Sequence, residues 1–322
     1  MVKLKQTPAA GAQEMRGACC EALMEEAGKN DSIVVINCDL CGPMGLKLFE
    51  KQFPTRSINV GIAEANACSM AGGMSAAGMV PFFVTFAVFA SRRVYDQVFM
   101  SCAYPGLNVK IIGGDSGVTS EYNGGTHMAF EDVGMLRIMP NITIMEPSDT
   151  VMMKALIREM TRTYGVQYLR TPRKKTPQIY EEGTAFEIGK GVVLREGSDV
   201  TLMAYGITVC EALKAADVLK EEGILARVVD MFTIKPLDKA CVLESARRTG
   251  AIVTAENHQV TGGLGSAVAE LLSETLPTPI ERVGVQDEFG EVGTQAYLME
   301  RFSLTAASIV ERAKLAVARK NS

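Results

Sequence analysis

The chain has 322 residues, of which 47% are hydrophobic and 22% charged, and a formal net charge of −4. Such a length exceeds one ordinary hydrophobic core and predicts two domains, in a composition typical of soluble α/β proteins. The charge balance argues against nucleic-acid binding. The sequence has neither the apolar core of a signal peptide nor an apolar run near the ~20 residues of a membrane helix. We therefore predict a cytoplasmic protein with no membrane partner.

The N-terminal part of the chain begins with a helix and a buried strand. Apolar spacing predicts an amphipathic helix over residues 12–27, ended by Gly28, and the apolar run 32–37 predicts a parallel strand. Asp39 follows that strand at its C-terminal end. Because ligands bind at this edge of a doubly wound sheet, Asp39 is a candidate binding residue.

The stretch INVGIAEANACSMAGGMS, residues 58–75, sets a single carboxylate among small and apolar residues. Residues 59–62 have the pattern of a strand end, and the small residues from Ala63 onward predict a closely packed helix. Glu64 then lies at the helix N-terminus, where the macrodipole stabilises a carboxylate, on the same rim as Asp39. Taken alone, the pattern is explained more simply by a first-turn or capping glutamate than by a catalytic one.

Two further strands lead to the same edge of the predicted sheet. A strand over 80–85 is followed by Phe86 and Phe89, and a strand over 109–112 is followed by the polar segment 115–127. From composition alone, these phenylalanines would be assigned to the core.

The first domain closes with a capped helix and a last strand. Ser148 and Asp149 cap a helix of about 15 residues, and residues 166–170 return as a strand that ends in Arg170. The following segment 171–183 mixes two prolines with charges of both signs, a composition typical of a linker. We therefore predict a first domain over residues 1–178, a linker over 179–188 and a second domain over 189–322.

The second domain repeats the alternation of strands and helices, which predicts a smaller doubly wound sheet. Its predicted elements are strands over 200–205, 226–231, 251–256 and 280–285, helices over 208–222, 237–248 and 264–275, and a tail helix over 303–319. The glycine cluster TGGLGSAVAELL, residues 261–272, precedes a helix as a phosphate site would, but it lacks the complete dinucleotide fingerprint. Close packing is the favoured explanation.

Eight cysteines without a secretory signal are expected to be reduced thiols. Cys38 and Cys41 form a CxxC pair, but a structural zinc site needs four ligands, and His127 and His258 are distant in sequence. Incidental spacing is favoured over metal or redox chemistry, so we assign no metal ligand to this chain.

Three ordered blocks of sequence carry a family resemblance: NVGIAEANA at 59–67, VPFFVTFAVFASRRVYDQVFMSCAY at 80–104 and GGTHMAFEDVGMLRIMPNITIMEPSD at 124–149. Together they resemble the C-terminal half of a transketolase, a thiamine-diphosphate enzyme, and the resemblance extends from about residue 16 to about 310. Blocks of this length in this order are more specific than one short glycine motif. The resemblance implies an α/β fold of two doubly wound domains, a pyrimidine-binding domain followed by a smaller transketolase C-terminal domain.

The resemblance implies roles for residues along the predicted rim. Glu64 of the NVGIAE block would exchange a proton with the aminopyrimidine of the cofactor, which allows the thiazolium carbon to lose its own proton. Phe86 and Phe89 would pack on the pyrimidine ring, with Asp39 and Arg92 as further cofactor contacts. Glu64 is thus the principal catalytic candidate.

Other residues are implied to bind the substrate. His127 would contact a substrate hydroxyl or carbonyl and complete the catalytic pair with Glu64, and Asn123 aligns with an aspartate of the family. Arg16 and Arg170 fall where the family places arginines for a sugar phosphate, a group that suits the guanidinium fork.

Some positions depart from the family pattern. Gly114 or Asp115 stands where many transketolases have a phosphate-binding histidine, Pro43 replaces a serine, and Arg92 stands where a tyrosine is common. These changes fall mainly in the substrate pocket, so an ordinary pentose phosphate substrate is not implied.

The chain has no GDG block followed by the asparagine that holds the diphosphate and its metal in the family. It therefore resembles the separately encoded C-terminal subunit of a split transketolase. Such a subunit needs an N-terminal partner that carries the diphosphate-binding domain and Mg²⁺ or Ca²⁺, with thiamine diphosphate bound between the two. The family also predicts a homodimer of the chain alone and a heterotetramer with the partner.

The implied activity is transfer of a two-carbon ketol unit from a small phosphorylated ketose to an aldose. The beta subunit of a 2-oxoacid dehydrogenase decarboxylase and part of a deoxyxylulose-phosphate synthase-like enzyme share the same glutamate chemistry and remain alternatives. A non-catalytic regulatory partner is a third, although the joint presence of Glu64, Phe86, Phe89 and His127 argues against it.

Overall fold

The computed structural model describes residues 3–320. Its strands in chain order are β1 (Leu4–Ala9), β2 (Ile33–Asn37), β3 (Ser57–Asn59), β4 (Val80–Phe86), β5 (Lys110–Gly114), β6 (Thr143–Met145), β7 (Gln167–Thr171), β8 (Gln178–Tyr180), β9 (Val192–Arg195), β10 (Val200–Ala204), β11 (Ala226–Asp230), β12 (Thr233–Lys235), β13 (Ile252–Gln259) and β14 (Ile280–Val285). Its α-helices are α1 (Met15–Ala27), α2 (Lys47–Gln52), α3 (Glu64–Ala76), α4 (Ala87–Ser91), α5 (Tyr95–Gln97), α6 (Asp132–Arg137), α7 (Thr150–Arg162), α8 (Thr208–Glu221), α9 (Lys239–Thr249), α10 (Leu264–Thr275), α11 (Gln295–Arg301) and α12 (Ala306–Lys320).

The first sheet has seven strands in the order β12-β6-β7-β5-β4-β2-β3, and all of them except β12 run parallel. Strand β2 is buried along its whole length, as expected for a strand covered on both faces. Its side chains alternate between two cores: Ile33 and Val35 pack with α1 and α7, whereas Ile36 packs with α3. Helices therefore cover both faces of the sheet.

The second sheet has the order β14-β13-β10-β11-β9, with β9 antiparallel to its neighbour β11 and the other strands parallel. Helices α8 and α12 cover one face, and α9 and α10 cover the other. This arrangement confirms the predicted α/β fold of two doubly wound units.

The two sheets are joined by more than a linker. Strand β12 follows β11 in sequence but pairs antiparallel with β6 of the first sheet, with Thr233 opposite Met145. Within the segment 171–183, the backbone N–H groups of Ile179 and Tyr180 each donate to the Asp149 carboxylate at 2.8 Å. Its composition suggested a linker, yet side-chain and backbone bonds hold it in place. The boundary at 179–188 stays a prediction.

Local signals at the helix ends behave as expected. Asp149 caps α7, since its carboxylate accepts from the Met152 N–H at 2.9 Å. Helix α3 begins at Glu64, after Ala63, with no side-chain cap. The short strands β1, β8, β9 and β12 were not predicted. They form only because each pairs with a strand that is distant in sequence, which local patterns do not show. None of the helices in the described range is long and apolar enough to cross a membrane.

The cysteines are free thiols, and all but Cys41 are buried. Burial raises the pKa of Cys38 to about 12, and the Cys41 thiol donates to Glu50 at 3.3 Å. Between residues 3 and 320, no group of three or more His, Cys, Asp or Glu side chains is arranged to hold a metal ion.

The parallel strands β2, β4 and β5 end at one edge of the first sheet, and that edge positions the candidate site. Asp39, Phe86 and Asp115 come at or just after the C-terminal ends of these strands. The prediction that these positions share a rim is therefore confirmed.

Candidate active site

Glu64 is the first residue of α3, and its side chain is only 2% exposed. The helix macrodipole favours a carboxylate at this position. One carboxylate oxygen, Oε2, accepts from Nη1 of Arg93 at 2.7 Å. A buried carboxylate thus pairs with the Arg93 guanidinium at the edge where ligands bind in this type of sheet.

Small residues bring α3 close to its neighbour, as the sequence predicted. A Cβ atom added at Gly72 would lie 2.2 Å from the backbone oxygen of Ser101, in the π-helical segment Val98–Ala103. Such a distance is far inside van der Waals contact, so only glycine fits. This close packing fixes the position of the helix that carries Glu64.

Arg93 connects Glu64 to the aromatic residues. Its guanidinium carbon lies 3.8 Å from the ring centroid of Phe89. The Phe89 ring lies 5.4 Å from the His127 ring, and the Phe86 ring lies 6.1 Å from Phe89 and 6.2 Å from His127. Glu64, Phe86, Phe89 and His127, predicted from separate parts of the sequence, are therefore neighbours.

An open cleft of about 430 Å³ adjoins these residues. Its lining consists of Val88, Phe89, Arg92, Arg93, Thr126 and His127. The Phe89 and His127 rings line the cleft, and Arg93, which also lines it, pairs with the buried Glu64 carboxylate. Such a surface suits a flat heteroaromatic ring with a basic nitrogen. The predicted pyrimidine half of thiamine diphosphate has this chemistry.

His127 ends a short 3-10 turn, Gly125–His127, and is half-buried. The Ser120 hydroxyl donates to the His127 backbone oxygen at 2.9 Å, and Arg92 Nη2 donates to the Thr126 backbone oxygen at 3.0 Å. Arg92 also pairs with Glu131 at 2.9 Å. Arg92 was predicted as a cofactor contact; here its hydrogen bonds hold the turn that carries His127, while its side chain lines the cleft.

Two arginines and an aspartate form a charged group on the other side of Phe86. Arg173 binds both carboxylate oxygens of Asp115 through Nε, at 3.0 Å, and Nη2, and its guanidinium carbon lies 5.4 Å from the Phe86 ring centroid. Arg16 donates from Nη1 to the Pro43 backbone oxygen at 2.9 Å and lines one small cavity with Asp115 and Arg173. Burial raises the pKa of Asp115, and Arg173 opposes that shift.

Asn123 and Asp39 lie at the margin of the site. The exposed Asn123 side chain donates to Asp115 at 3.5 Å, which places it beside the charged group. Asp39, also exposed and with a φ of +60°, instead exchanges hydrogen bonds with Asn59. Asp39 therefore shares the sheet edge with Glu64, while its hydrogen bonds connect it to β3.

Arg170 requires a correction. It was predicted to bind a substrate phosphate, but its side chain is fully buried. Its Nε donates to Asp132 at 2.9 Å and its Nη1 to Glu146 at 2.6 Å, while Nη2 donates to the backbone oxygens of Ala129 and Asn257 at 3.2 and 3.1 Å. The prediction is incompatible with this structure, because every nitrogen of the guanidinium already has a protein acceptor and no surface is left for a ligand.

Sequence reasoning missed two residues of the site. Arg93 stands next to Arg92, and only the orientation of the short helices after β4 shows which of the two reaches Glu64. Arg173 lies in the segment whose composition suggested a linker, although the charge pattern TPRKK was a visible signal. Its backbone oxygen accepts from the Arg16 N–H at 3.3 Å, which brings both arginines to the same cavity.

The glycine cluster of the second domain binds an internal anion. The fully buried Glu256 carboxylate accepts from the backbone N–H groups of Leu264 and Gly265 at 2.8 and 2.9 Å, at the start of α10. A Cβ at Gly263 would lie 1.9 Å from Glu256 Oε2. The glycines therefore admit a side-chain carboxylate where a nucleotide site would admit a phosphate, which supports the packing interpretation.

Comparison with known proteins gives two family matches and several close relatives. Residues 12–178 match the transketolase pyrimidine-binding domain, and residues 189–309 match the transketolase C-terminal domain. The chain is 48% identical over 307 residues to a 6-deoxy-6-sulfo-D-fructose transketolase subunit of Clostridium sp. (strain MSTE9), covering 95% of each protein. It is 40% identical over 301 residues to a putative transketolase C-terminal section of Methanocaldococcus jannaschii, covering 92% of this chain and 94% of that protein.

Among solved structures, the fold is similar to a split gene transketolase described as an inactive beta4 tetramer. The TM-score is 0.89 and the identity is 43%, over 96% of this chain and 100% of the other. The similarity therefore extends over both sheets and the edge that carries Glu64.

Proposed function

The chain belongs to the transketolase family, and on this premise we propose that it is the C-terminal subunit of a split transketolase. With an N-terminal partner it transfers a two-carbon ketol unit from an anionic ketose to an aldose. The two relatives described above are named for transketolase and match over nearly their whole length, which favours this function over the dehydrogenase and synthase alternatives.

The observation that carries the proposal is the buried Glu64 carboxylate beside an aromatic cleft. A side chain that is 2% exposed at the start of α3 keeps its carboxylate out of bulk water, where it can exchange a proton with one bound partner. Thiamine diphosphate, when bound, supplies a thiazolium carbon that can form and break bonds to a ketose carbonyl carbon. Glu64 would hold the proton at Oε1 or Oε2 toward the pyrimidine ring, and Phe86 and Phe89 would hold that ring.

Arg93 sets a condition on this proposal. Its guanidinium contacts both the Glu64 carboxylate and the face of Phe89, the two groups proposed for the pyrimidine ring. The ion pair therefore has to shift when the ring binds. Because the Arg93 side chain is 42% exposed, it can turn into solvent, but the buried Glu64 carboxylate then needs a new hydrogen-bond partner, which the bound pyrimidine ring would supply.

His127 would contact the reacting part of the substrate, since its ring adjoins both phenylalanines. A neutral imidazole has one N–H donor and one nitrogen acceptor for hydrogen bonds, which suits contact with a hydroxyl or carbonyl oxygen. Arg92 and Ser120 hold the turn in which His127 lies.

The partner subunit would hold the diphosphate and its metal, Mg²⁺ or Ca²⁺. We expect the isolated chain to bind thiamine diphosphate and Mg²⁺ weakly, and the chain mixed with its N-terminal partner to bind them tightly, because this chain supplies contacts to the pyrimidine half alone. Isothermal titration calorimetry of the chain, the partner and the mixture measures this directly. Micromolar affinity in the isolated chain would contradict the split-subunit proposal.

The anionic end of the ketose would bind at Arg16 and Arg173. A guanidinium fork suits phosphate and sulfonate oxygens alike. Both arginines are already paired, Arg16 with Glu14 at 2.7 Å and Arg173 with Asp115, so the group has little net positive charge. This balance favours a monoanionic sulfonate relative to a dianionic phosphate, in agreement with the sulfo-sugar named for the Clostridium relative.

We expect Arg173→Ala to lower kcat/KM for 6-sulfo and 6-phospho ketohexoses by about 10- to 100-fold, the loss of one charge-assisted contact of roughly 1.5 to 3 kcal/mol. An uncharged ketohexose should lose much less. Steady-state kinetics of the reconstituted complex on the three donors give these ratios. Lys175→Ala serves as a matched control, since Lys175 is an exposed cation of the same segment. Equal losses on charged and uncharged donors would exclude Arg173 as the anion contact.

A further inference from the structure

Consecutive residues of β13, in the second sheet, bind the loop that leads to the candidate site. The Asn257 side chain bonds to the backbone of Ser116 and Val118, and His258 Nε2 accepts from the Gly134 N–H at 3.2 Å. The Gln259 N–H donates to the Phe130 backbone oxygen at 2.8 Å. The second sheet thus contacts both ends of the segment that contains His127.

Asn257 makes the most specific of these contacts. Its side chain is fully buried, and its Oδ1 accepts from the Val118 N–H at 2.9 Å while its Nδ2 donates to the Ser116 oxygen at 3.0 Å. One amide therefore satisfies a donor and an acceptor on either side of Gly117. Its own backbone oxygen accepts from Arg170 at 3.1 Å, which fixes the strand beneath it.

The loop needs an external support because its backbone is strained. Asp115, Gly117 and Glu121 have φ angles of +56°, +52° and +49°. Non-glycine residues in this region cost on the order of 1 kcal/mol or more each and persist only where surrounding contacts impose them. A Cβ on Gly117 would lie 2.1 Å from Asn257 Oδ1, so the loop lies directly against the asparagine.

Short hydrogen bonds connect this anchor to the site residues. The Thr119 hydroxyl donates to the Ser116 oxygen at 2.7 Å, and the Ser120 hydroxyl donates to the His127 oxygen at 2.9 Å. Asp115, immediately before the anchor, binds Arg173. Both the imidazole and the charged group therefore depend on where residues 115–120 lie.

We propose that Asn257 is a positioning residue for the reaction: from the second sheet it holds loop 115–127, and thereby His127 and Asp115, in the geometry that receives the substrate. The proposal rests on the proposed function for its kinetic part only. Its structural part, the dependence of the loop on Asn257, can be measured without any activity.

The structural test is amide hydrogen exchange of the full chain, wild type against Asn257→Ala. The variant removes both hydrogen bonds, so exchange in residues 116–127 should accelerate by roughly 5- to 150-fold, the factor that corresponds to two bonds of about 0.5 to 1.5 kcal/mol each. Exchange in α3, which carries Glu64, should stay as in the wild type. Unchanged exchange in the loop would overturn the proposal.

Gln259→Ala is the matched control on the same strand. The Gln259 side chain donates from Nε2 to the Glu288 oxygen at 2.9 Å and accepts from the Asp287 N–H at 2.9 Å. It therefore makes an equivalent pair of bonds to the loop 286–292, whose Gly290 and Val292 pack on Gly125 and Gly124. Its removal can loosen residues 124–127, but exchange in residues 116–120, beside Asn257, should stay unchanged. Equal acceleration by both variants would mean a general loosening of the second sheet and would contradict a specific role for Asn257.

A second variant changes the loop side of the contact between Asn257 and Gly117. Gly117→Ala introduces a methyl group against Asn257 Oδ1 and should accelerate exchange as Asn257→Ala does. The double variant should be less damaged than the sum of the two, because truncating Asn257 opens the space that the methyl group needs. Additive effects would count against direct contact.

The kinetic test uses the complex with the N-terminal subunit. Asn257→Ala should raise KM for the ketose donor on the order of tenfold, from the same hydrogen bonds, while affinity for thiamine diphosphate is retained. A loss of cofactor affinity with unchanged KM would overturn the proposal. If the wild-type complex transferred no ketol group, the proposed function would fail, and the exchange experiment would still decide the role of Asn257.

Discussion

Glu64→Gln should slow hydrogen–deuterium exchange at the thiazolium carbon by about 10² to 10⁴-fold in the complex with the N-terminal partner, the usual contribution of a general acid or base. Glutamine keeps the shape of the side chain and one hydrogen-bond acceptor, but it cannot exchange a proton with the pyrimidine ring. The cofactor should still bind, since Phe86 and Phe89 are unaltered.

The competing explanation, a glutamate that only stabilises a helix, predicts a different result. Glu64 is the first helical residue of α3 and pairs with the partly exposed Arg93. Loss of a helix-terminus charge and of such a pair costs about 1 kcal/mol or less each and leaves the exchange rate near wild type. Nuclear magnetic resonance of quenched samples measures the exchange, and calorimetry measures cofactor binding.

Glu26→Gln is a suitable control for this experiment. Glu26 is 6% exposed and pairs with Lys29 at 2.9 Å, so it is also a buried glutamate with one cationic partner. It lies on α1, away from the cleft residues. If Glu26→Gln slowed exchange as much as Glu64→Gln, or if Glu64→Gln left it unchanged, the catalytic role of Glu64 would be excluded.

Arg170→Met should lower the free energy of unfolding by about 3 to 5 kcal/mol, because it leaves two buried carboxylates without their cation. Asp132 and Glu146 are both fully buried and both bind the Arg170 guanidinium. The loss would also release the backbone oxygens of Ala129 and Asn257. Urea unfolding followed by circular dichroism gives the change.

The pH dependence of this loss identifies its cause. Burial raises the pKa of Glu146 to about 7, and Arg170 opposes the shift. When folding raises the pKa of a carboxyl, its contribution to the free energy of unfolding is largest below the pKa of the unfolded state. That contribution decreases as the pH rises and is lost once the pH passes the pKa of the folded state. Without Arg170 the pKa rises further, so the deficit of the variant should be larger near pH 8 than near pH 6.

Two further variants keep the result interpretable. Arg170→Met combined with Glu146→Gln removes one of the unpaired carboxylates and should recover part of the loss, even if the single variant folds poorly. Arg162→Met removes an exposed pair with Glu159 and should cost no more than about 1 kcal/mol. A pH-independent loss, or no rescue by Glu146→Gln, would mean that the ion pairs do not carry the effect of Arg170.

The sequence predicted the fold from short-range patterns, and the family motifs supplied the candidate site residues. Continuous apolar runs identified β2, β4 and β5, and the order of these strands placed Glu64, Phe86 and Phe89 on one edge. The family motifs identified His127, whose ring lies within 5.4 Å of Phe89. Roles in proton exchange and in substrate binding stay predictions until they are measured.

Long-range contacts decided what the sequence could not. Arg170 lies in β7, a strand that was predicted to within one residue at each end, yet whether it meets a ligand or the interior depends on Asp132 and Glu146, which lie outside β7. Arg173 was not predicted as a site residue because it lies in a segment with the composition of a linker. The charge and polarity of a side chain indicate what type of partner it requires. Only the tertiary structure determines which residue is that partner.

By itself the sequence determined two doubly wound sheets, the helix that begins at Glu64 and the sheet edge that carries the candidate site, since hydrophobic periodicity and helix-start signals are local. The tertiary structure alone decided that Arg93 pairs with Glu64, that Arg173 lines the same cavity as Arg16, and that Asn257 bonds to the backbone of Ser116 and Val118. These contacts join residues that are far apart in the chain, so they form and contribute to stability only once the sheets and helices have packed together.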